Sequence, residues 1–482
     1  MTEVHEYIPG SEMDLVPEIK GFCSSIVFIP RSVVDEKPII VKLSASEMKD
    51  LVLNKTVKGE NDMVSDNDDI EENEEMDCEI NNTKTTVEKD GKNQKENIND
   101  EDDKTNEKYK LDDYDNTEEP LLISGITKFK EDDPYLTNPD EEDPEDLADL
   151  EVRENENIVA YVINDLDDSE VVYTNFNNVT FHNYVRTSNF LHKCPLVIKY
   201  VHPGANEKDG NLTLVAIGFY EPVIELWDVN MINSAGPIIT LGKELSKKQR
   251  KSKDNYNSTH VDAVTTLSWN QNMPHILASG SIDKRVILWD ITSESVGTLY
   301  DFFKEEIQFV LWHPIEESIL LVATVTNNIY AINCSTDMTG EEAINFTIDD
   351  DHTLESLDWD RQNPFIFYAT STQGFIYTFD SRKKGMYQSI QKSHEKSTNV
   401  VICSRKIGGM VLSAGEGNVM VWKANNDGVL TKIYEVKSLV GTIFSVDFCP
   451  ENPNVVVFAG NEGERLQFCD LSTFSEIVEA FS

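Results

Sequence analysis

Six cations crowd into the stretch LGKELSKKQRKSKDNYNSTHVDAV (241–264): Lys243, Lys247, Lys248, Arg250, Lys251 and Lys253. Such a run can act as a nuclear-import signal. It can also neutralise nucleic-acid phosphates and release their condensed counterions, or it can be a solvated loop with no partner. The first two uses are compatible with each other. Tyr256 is the only aromatic residue within it, so phosphate contact is expected rather than readout of bases. The run stands out because the 482-residue chain has a formal net charge of −45.

Other groupings point away from catalysis. There is neither a Walker loop nor a G-x-S-x-G elbow. Gly415-Glu416-Gly417 lacks a third glycine and reads as a hairpin turn. His182 with His192-Lys193-Cys194 offers no four-ligand metal spacing. The acids of 131–156 number 13 against one cation; they read as a charge run with nothing to hold two carboxylates at a working separation. The expectation is a non-enzyme with no cofactor, no metal and no small-molecule substrate.

Charge and composition divide the chain. Residues 60–119 hold 24 Asp and Glu against 7 Lys and Arg, with few aromatics and no hydrophobic period. Such a segment cannot bury enough apolar surface to offset its chain entropy and is expected to be disordered. Inside it, Tyr109, Leu111, Asp112, Asp113, Tyr114 and Asp115 of KYKLDDYD look like a short partner-binding peptide. Before it, SSIVFIP (24–30) reads as a strand, and Ser44 with Glu47 opens a short helix to about Asn54. No apolar run approaches the roughly 18 residues that a membrane span needs, so no membrane contact is expected. The acidic N-terminus lacks the apolar core of a signal peptide. Seven cysteines without paired spacing predict a reducing, intracellular compartment.

After residue 157 the chain repeats itself. PVIELWDVN, KRVILWDIT, NNIYAINCS, GFIYTFDSR, GNVMVWKAN and ERLQFCDLS end in register at Trp227, Trp289, Ile332, Phe379, Trp422 and Cys469. The spacings are 62, 43, 47, 43 and 47 residues, and four of them match a four-stranded propeller blade. The long interval contains the basic run, which therefore inserts between the outer strand PIITLG and the next inner strand VDAVTTLSW. Three strands before the first full repeat (NIVAYVIND, SEVVYTNF, VTFHNYVRT) raise the expected blades to seven. The N-terminal strand and a strand near SEIVEAF (475–481) are expected to close the ring.

These repeats resemble the WD-repeat family, most clearly in THVDAVTTLSWNQNMPHILASGSIDKRVILWD. There His260, Asp283, Trp289 and Ser279 (or Ser281) stand where that family places its hydrogen-bonded set, with Asp290 closing the WD pair as Asp228 follows Trp227. In a weaker repeat Glu416 takes the Asp position beside His394 and Trp422; in another, Gln373 and Phe379 replace Asp and Trp. The segments outside the repeats narrow the likeness. VFIPR, KLSASEMKDLV, YKLDDYD, GITKFKEDDPYLT and ENIVAY, in that order, with a lysine-rich insertion after PVIELWDVNMINSAGPIITLG, resemble the periodic tryptophan protein 1 family.

The expected architecture is all-β: a seven-bladed WD-repeat β-propeller over 157–482 with a basic insertion at 243–254, after a strand-and-helix segment (1–59) and an acidic disordered region (60–156). The resemblance implies a non-catalytic nuclear and nucleolar scaffold in ribosome biogenesis. It would act in large-subunit precursor assembly and rRNA processing, with pre-ribosomal proteins and precursor rRNA as partners. The alternative it implies is a chromatin-associated adaptor that binds histones.

Overall fold

A computed structural model describes residues 22–40, 150–164, 169–203, 212–244, 258–336, 342–348, 352–462 and 465–482. The expected helix at 44–54, the peptide 109–115, most of the acidic region and the basic residues from Lys247 to Lys253 lie outside these. The described residues are a β-propeller built from antiparallel sheets.

Each sheet runs from an inner strand outward. The first takes its inner strand from the N-terminus, Phe22–Ile29, which pairs with Glu156–Asn164, followed by Ser169–Asn177 and Asn183–Leu191. The second holds Pro195–Val201, Leu214–Phe219, Val223–Asp228 and Ile239–Gly242. The third holds Val264–Trp269, Ile276–Ser281, Val286–Asp290 and Ser295–Tyr300. Ile307–Trp312, Ile319–Thr324, Asn328–Asn333 and Ile344–Thr347 make the core of the fourth. The fifth is Leu354–Trp359, Ile366–Ser371, Phe375–Asp380 and Ser389–Lys392.

The sixth sheet is where the structure departs from seven separate sheets. It joins Thr398–Cys403, Met410–Ala424, Leu430–Phe448, Val455–Gly460 and Leu466–Asp470. The cause is Leu430–Phe448: its first part pairs with the strand before it and its last part, Ile443–Phe448, pairs with Val455–Gly460, the chain bending at Gly441 (φ +68°) without leaving the sheet. Elsewhere a loop separates outer strand from next inner strand.

Strand identity follows burial. Second strands such as Leu214–Phe219 and Val455–Gly460 are buried at every position, because neighbouring sheets cover both faces, and β-branched and small residues suit that place. Gly280 shows how tight this is: a Cβ there would sit 2.5 Å from Ile307 Cγ2 and 2.7 Å from Thr266 Cγ2 of flanking inner strands.

One device ties inner strands together around the ring. A hydroxyl or carboxylate on one inner strand accepts a backbone N–H from a neighbouring one. Thr266 and Ser268 take Val310 N and Trp312 N, each at 3.2 Å. Ser356 and Asp358 take Val401 N and Cys403 N at 3.3 and 2.7 Å. Ser445 and Asp447 take Ile26 N and Phe28 N at 3.3 and 2.8 Å. The last pair closes the ring, so the closing junction uses the same chemistry as interior ones. Behind it Phe176 stacks on Phe468 at 4.1 Å, with Phe28 edge-on to both.

The C-terminal segment 475–481 differs from expectation: it is an α-helix, Ser475–Phe481. Asp470 accepts Ser472 N at 2.9 Å, and a 3-10 turn at Leu471–Thr473 redirects the chain out of the sheet. Ile477 is buried and Phe481 half-buried, four residues apart on one helical face. Closure therefore rests on the N-terminal strand. The propeller unit draws on both sides of the 105-residue segment 43–147. Val152 and Glu156 are also buried, so the compact unit begins before residue 157.

Candidate functional site

The third sheet carries the most complete polar set. His260 precedes the inner strand, Ser279 sits in the second, Asp283 in the turn after it and Trp289 in the third. Asp283 Oδ2 faces His260 Nδ1 at 3.0 Å and accepts Val261 N at 2.9 Å. With Nδ1 protonated toward that carboxylate, His260 Nε2 accepts the Ser279 hydroxyl at 2.7 Å. Ser279 Oγ in turn accepts the Trp289 indole N–H at 2.8 Å. The hydroxyl is that of Ser279; Ser281 donates instead to Asp262 O at 3.1 Å.

Arg285 adds a cation, with Nη2 donating to Asp283 Oδ2 at 2.6 Å and to Thr259 O at 3.2 Å. Burial alone would raise the Asp283 pKa. The His260 hydrogen bond, the Arg285 charge and the Val261 N–H outweigh it and bring the carboxyl down to about 2. This set is sealed: His260 and Arg285 are each 1% exposed. Its role is to fix the turn and the loop at which the inner strand begins, not to meet a substrate.

The other repeats keep parts of the set. Trp422 donates to Ser413 Oγ at 2.9 Å and His394 Nε2 lies 3.2 Å from the same oxygen. Glu416, however, pairs with Lys396 at the surface. It lies where pairing passes from Thr398–Cys403 to the following strand, with Gly417 at φ +74° beyond it, so its side chain points outward. Trp227 uses an acceptor that sequence reading missed, Glu225 Oε2 at 3.2 Å, and Lys193 bonds the other oxygen, Oε1, at 2.8 Å. Asp228 Oδ1 accepts Asn230 N at 2.9 Å, and Asp290 Oδ1 accepts Thr292 N at 2.9 Å. Both act as turn caps.

The basic insertion has described anchors. Gly242 ends the outer strand with φ +91°, Lys243 and Glu244 follow, both exposed, and the chain is described again from Ser258. Thr259 Oγ1 accepts Lys243 N at 3.2 Å, clasping the two ends of the loop. Both ends lie on the side of the ring where inner strands begin, beside Asp283. His182, His192 and Cys194 do not assemble; no cluster of three or more metal-ligating side chains occurs among the described residues. Six described cysteines are free thiols, and no described helix is long and apolar enough to cross a membrane.

Repeated four-stranded sheets around one ring, sealed by a His–Ser–Asp–Trp hydrogen-bonded set, define a WD-repeat β-propeller. No family model matches the chain. It is 28% identical to the periodic tryptophan protein 1 homolog of Drosophila melanogaster over 98% of its own length and 97% of that protein's. Periodic tryptophan protein 1 of Saccharomyces cerevisiae is 23% identical, covering 77% of this chain and 76% of its own. An uncharacterized WD repeat-containing protein of Schizosaccharomyces pombe is 24% identical over 77% and 75%. Over nearly its whole length the chain is therefore similar to periodic tryptophan protein 1.

Proposed function

We propose that this protein is a non-catalytic scaffold of ribosome biogenesis, nuclear and concentrated in the nucleolus, acting in assembly of the large-subunit precursor and in rRNA processing. The observation that carries this reading is collinearity with a relative over 97% of that relative's length, which takes in the N-terminal strand, the acidic region and the insertion as well as the repeats. In this reading the sixth sheet counts as two blades sharing one continuous strand, which makes a seven-bladed ring.

The physical roles divide accordingly. The propeller offers rigid ends for several proteins at once. The acidic segment can gather basic pre-ribosomal proteins. The loop carrying Lys247, Lys248, Arg250, Lys251 and Lys253 contacts precursor rRNA through phosphates, so that an otherwise acidic body touches RNA at one place. The test replaces Lys247, Lys248, Arg250 and Lys251 by Ala. Phosphate contact predicts weaker association with precursor particles and a salt dependence shallower by about 3 in log–log slope, at roughly 0.7–0.9 per lost contact, with the protein still nuclear. A protein that moves to the cytoplasm would make the loop an import signal instead.

A further inference from the structure

Between the third and fourth sheets, at the end of the ring where inner strands finish, lies a cleft of about 350 Å³. Its apolar walls are Met273, Ile276, Leu288, Trp312 and Cys334. That volume is at the lower end of small-ligand sites and suits one or two side chains. The charged groups at its margin are two carboxylates, Asp290 and Glu317, and no Lys or Arg lines it.

The fifth and sixth sheets form the equivalent depression, about 160 Å³, and it serves as an internal comparison. Ile366 and Asp380 are paired across the second and third strands there, as Ile276 and Asp290 are in the cleft. Asp380 is neutralised from within: Arg382 Nε donates to Oδ1 at 2.9 Å and Nη2 to Oδ2 at 2.8 Å, while the guanidinium lies over the Phe365 ring at 4.6 Å. Asp290 accepts only the backbone N–H groups of Thr292 and Ser293. Among the described residues no cation pairs with Asp290 or Glu317.

We propose that this cleft binds an extended segment of a partner protein that presents an aliphatic or aromatic side chain beside a Lys or Arg. The apolar side chain fills the space against Trp312 and Leu288, and the cation does for Asp290 and Glu317 what Arg382 does for Asp380. The cleft opens at the inner-strand finish, whereas the insertion is anchored where inner strands start. One ring can therefore hold a basic protein segment at one end and an anion at the other. The inference extends the scaffold reading by giving the chemistry of a protein partner, and its test needs no ribosomal particle.

The acidic region will attract any basic peptide, so the readout must be local. Full-length protein labelled with 5-fluorotryptophan has six fluorine resonances, one for each tryptophan, assignable by single Trp→Phe changes. The probe is the synthetic peptide Lys-Leu-Lys-Phe-Lys-Arg, and its control has Ser in place of Leu and Phe. The proposal expects saturable shifts at Trp312 and Trp289 with the first peptide and none with the control. Glu317→Lys and Thr298→Trp, which reverse the margin charge and fill the cleft, should each weaken binding at least tenfold. Asp427→Lys, at the other depression, should leave it unchanged. Unmoved Trp359 and Trp422 resonances verify that each variant is folded. An unmoved Trp312 resonance, equal shifts with the Ser peptide, or undiminished binding by both cleft variants would overturn the proposal.

Discussion

Asp283→Asn is the sharpest test of how the propeller is held. The carboxylate collects three donors on one oxygen, His260, Val261 N and Arg285, and a fourth, Arg285 N, on the other. A protonated Asp is the nearest chemical analogue of Asn, so the pKa shift sets a lower estimate for the substitution. Displacement from 3.8 to about 2 corresponds to roughly 2 kcal/mol. Loss of charge also leaves Arg285 buried opposite a neutral amide, which brings the expected cost to about 3–5 kcal/mol.

The pH dependence has a definite sign. The folded pKa is depressed, so the stabilisation is present above the ordinary value near 4 and is lost as pH falls toward 2. About 1 kcal/mol of it should be gone by pH 3. Urea unfolding followed by tryptophan fluorescence measures both effects. The gap between wild type and Asp283→Asn should be full at pH 7 and narrower at pH 3. Glu416→Gln, which loses only an exposed pair with Lys396, should stay within about 0.5 kcal/mol. A cost below 1 kcal/mol for Asp283→Asn, or a gap that widens in acid, would refute this reasoning.

Three further expectations are independent of that network. Phe28→Ala removes the ring that packs edge-on against the stacked Phe176 and Phe468 at the closing seam and should cost about 3–5 kcal/mol in urea unfolding. Gly280→Ala forces a methyl against Ile307 and Thr266; overpacking of that kind should cost about 1–3 kcal/mol, visible as a lower thermal midpoint. Among the described cysteines, exposed Cys194 should react first with a thiol reagent in the native protein. Cys23, whose thiol burial pushes up to about 12, and Cys403, raised well above the ordinary range by burial, should react only on unfolding.

The propeller was readable because its repeat is a spacing, and spacing survives loss of individual residues: Ile332 and Cys469 hold Trp positions without an indole. The 62-residue interval placed the insertion for the same reason. The helix at 475–481 was harder. Ser-Glu-Ile-Val-Glu-Ala-Phe is β-branched enough to pass for a strand, and only the turn capped by Asp470 turns the chain away from the sheet. Ring closure had a signal that went unused: Ser445-Val446-Asp447 matches Ser356-Leu357-Asp358, the pair that clamps the next inner strand. Any inner strand bearing such a pair needs a neighbour to clamp, and the last one in the chain finds it at residues 22–29. The apolar cleft could not be read at all, since Met273, Leu288, Trp312 and Cys334 meet across two sheets with no common period.

Purification of the protein from nuclei under gentle conditions, followed by probing of the copurified RNA, tests the scaffold reading most directly. The account predicts large-subunit rRNA precursors that sediment with the protein as one large particle. Histones and nucleosomal DNA without precursor rRNA would contradict it and leave a chromatin adaptor in its place.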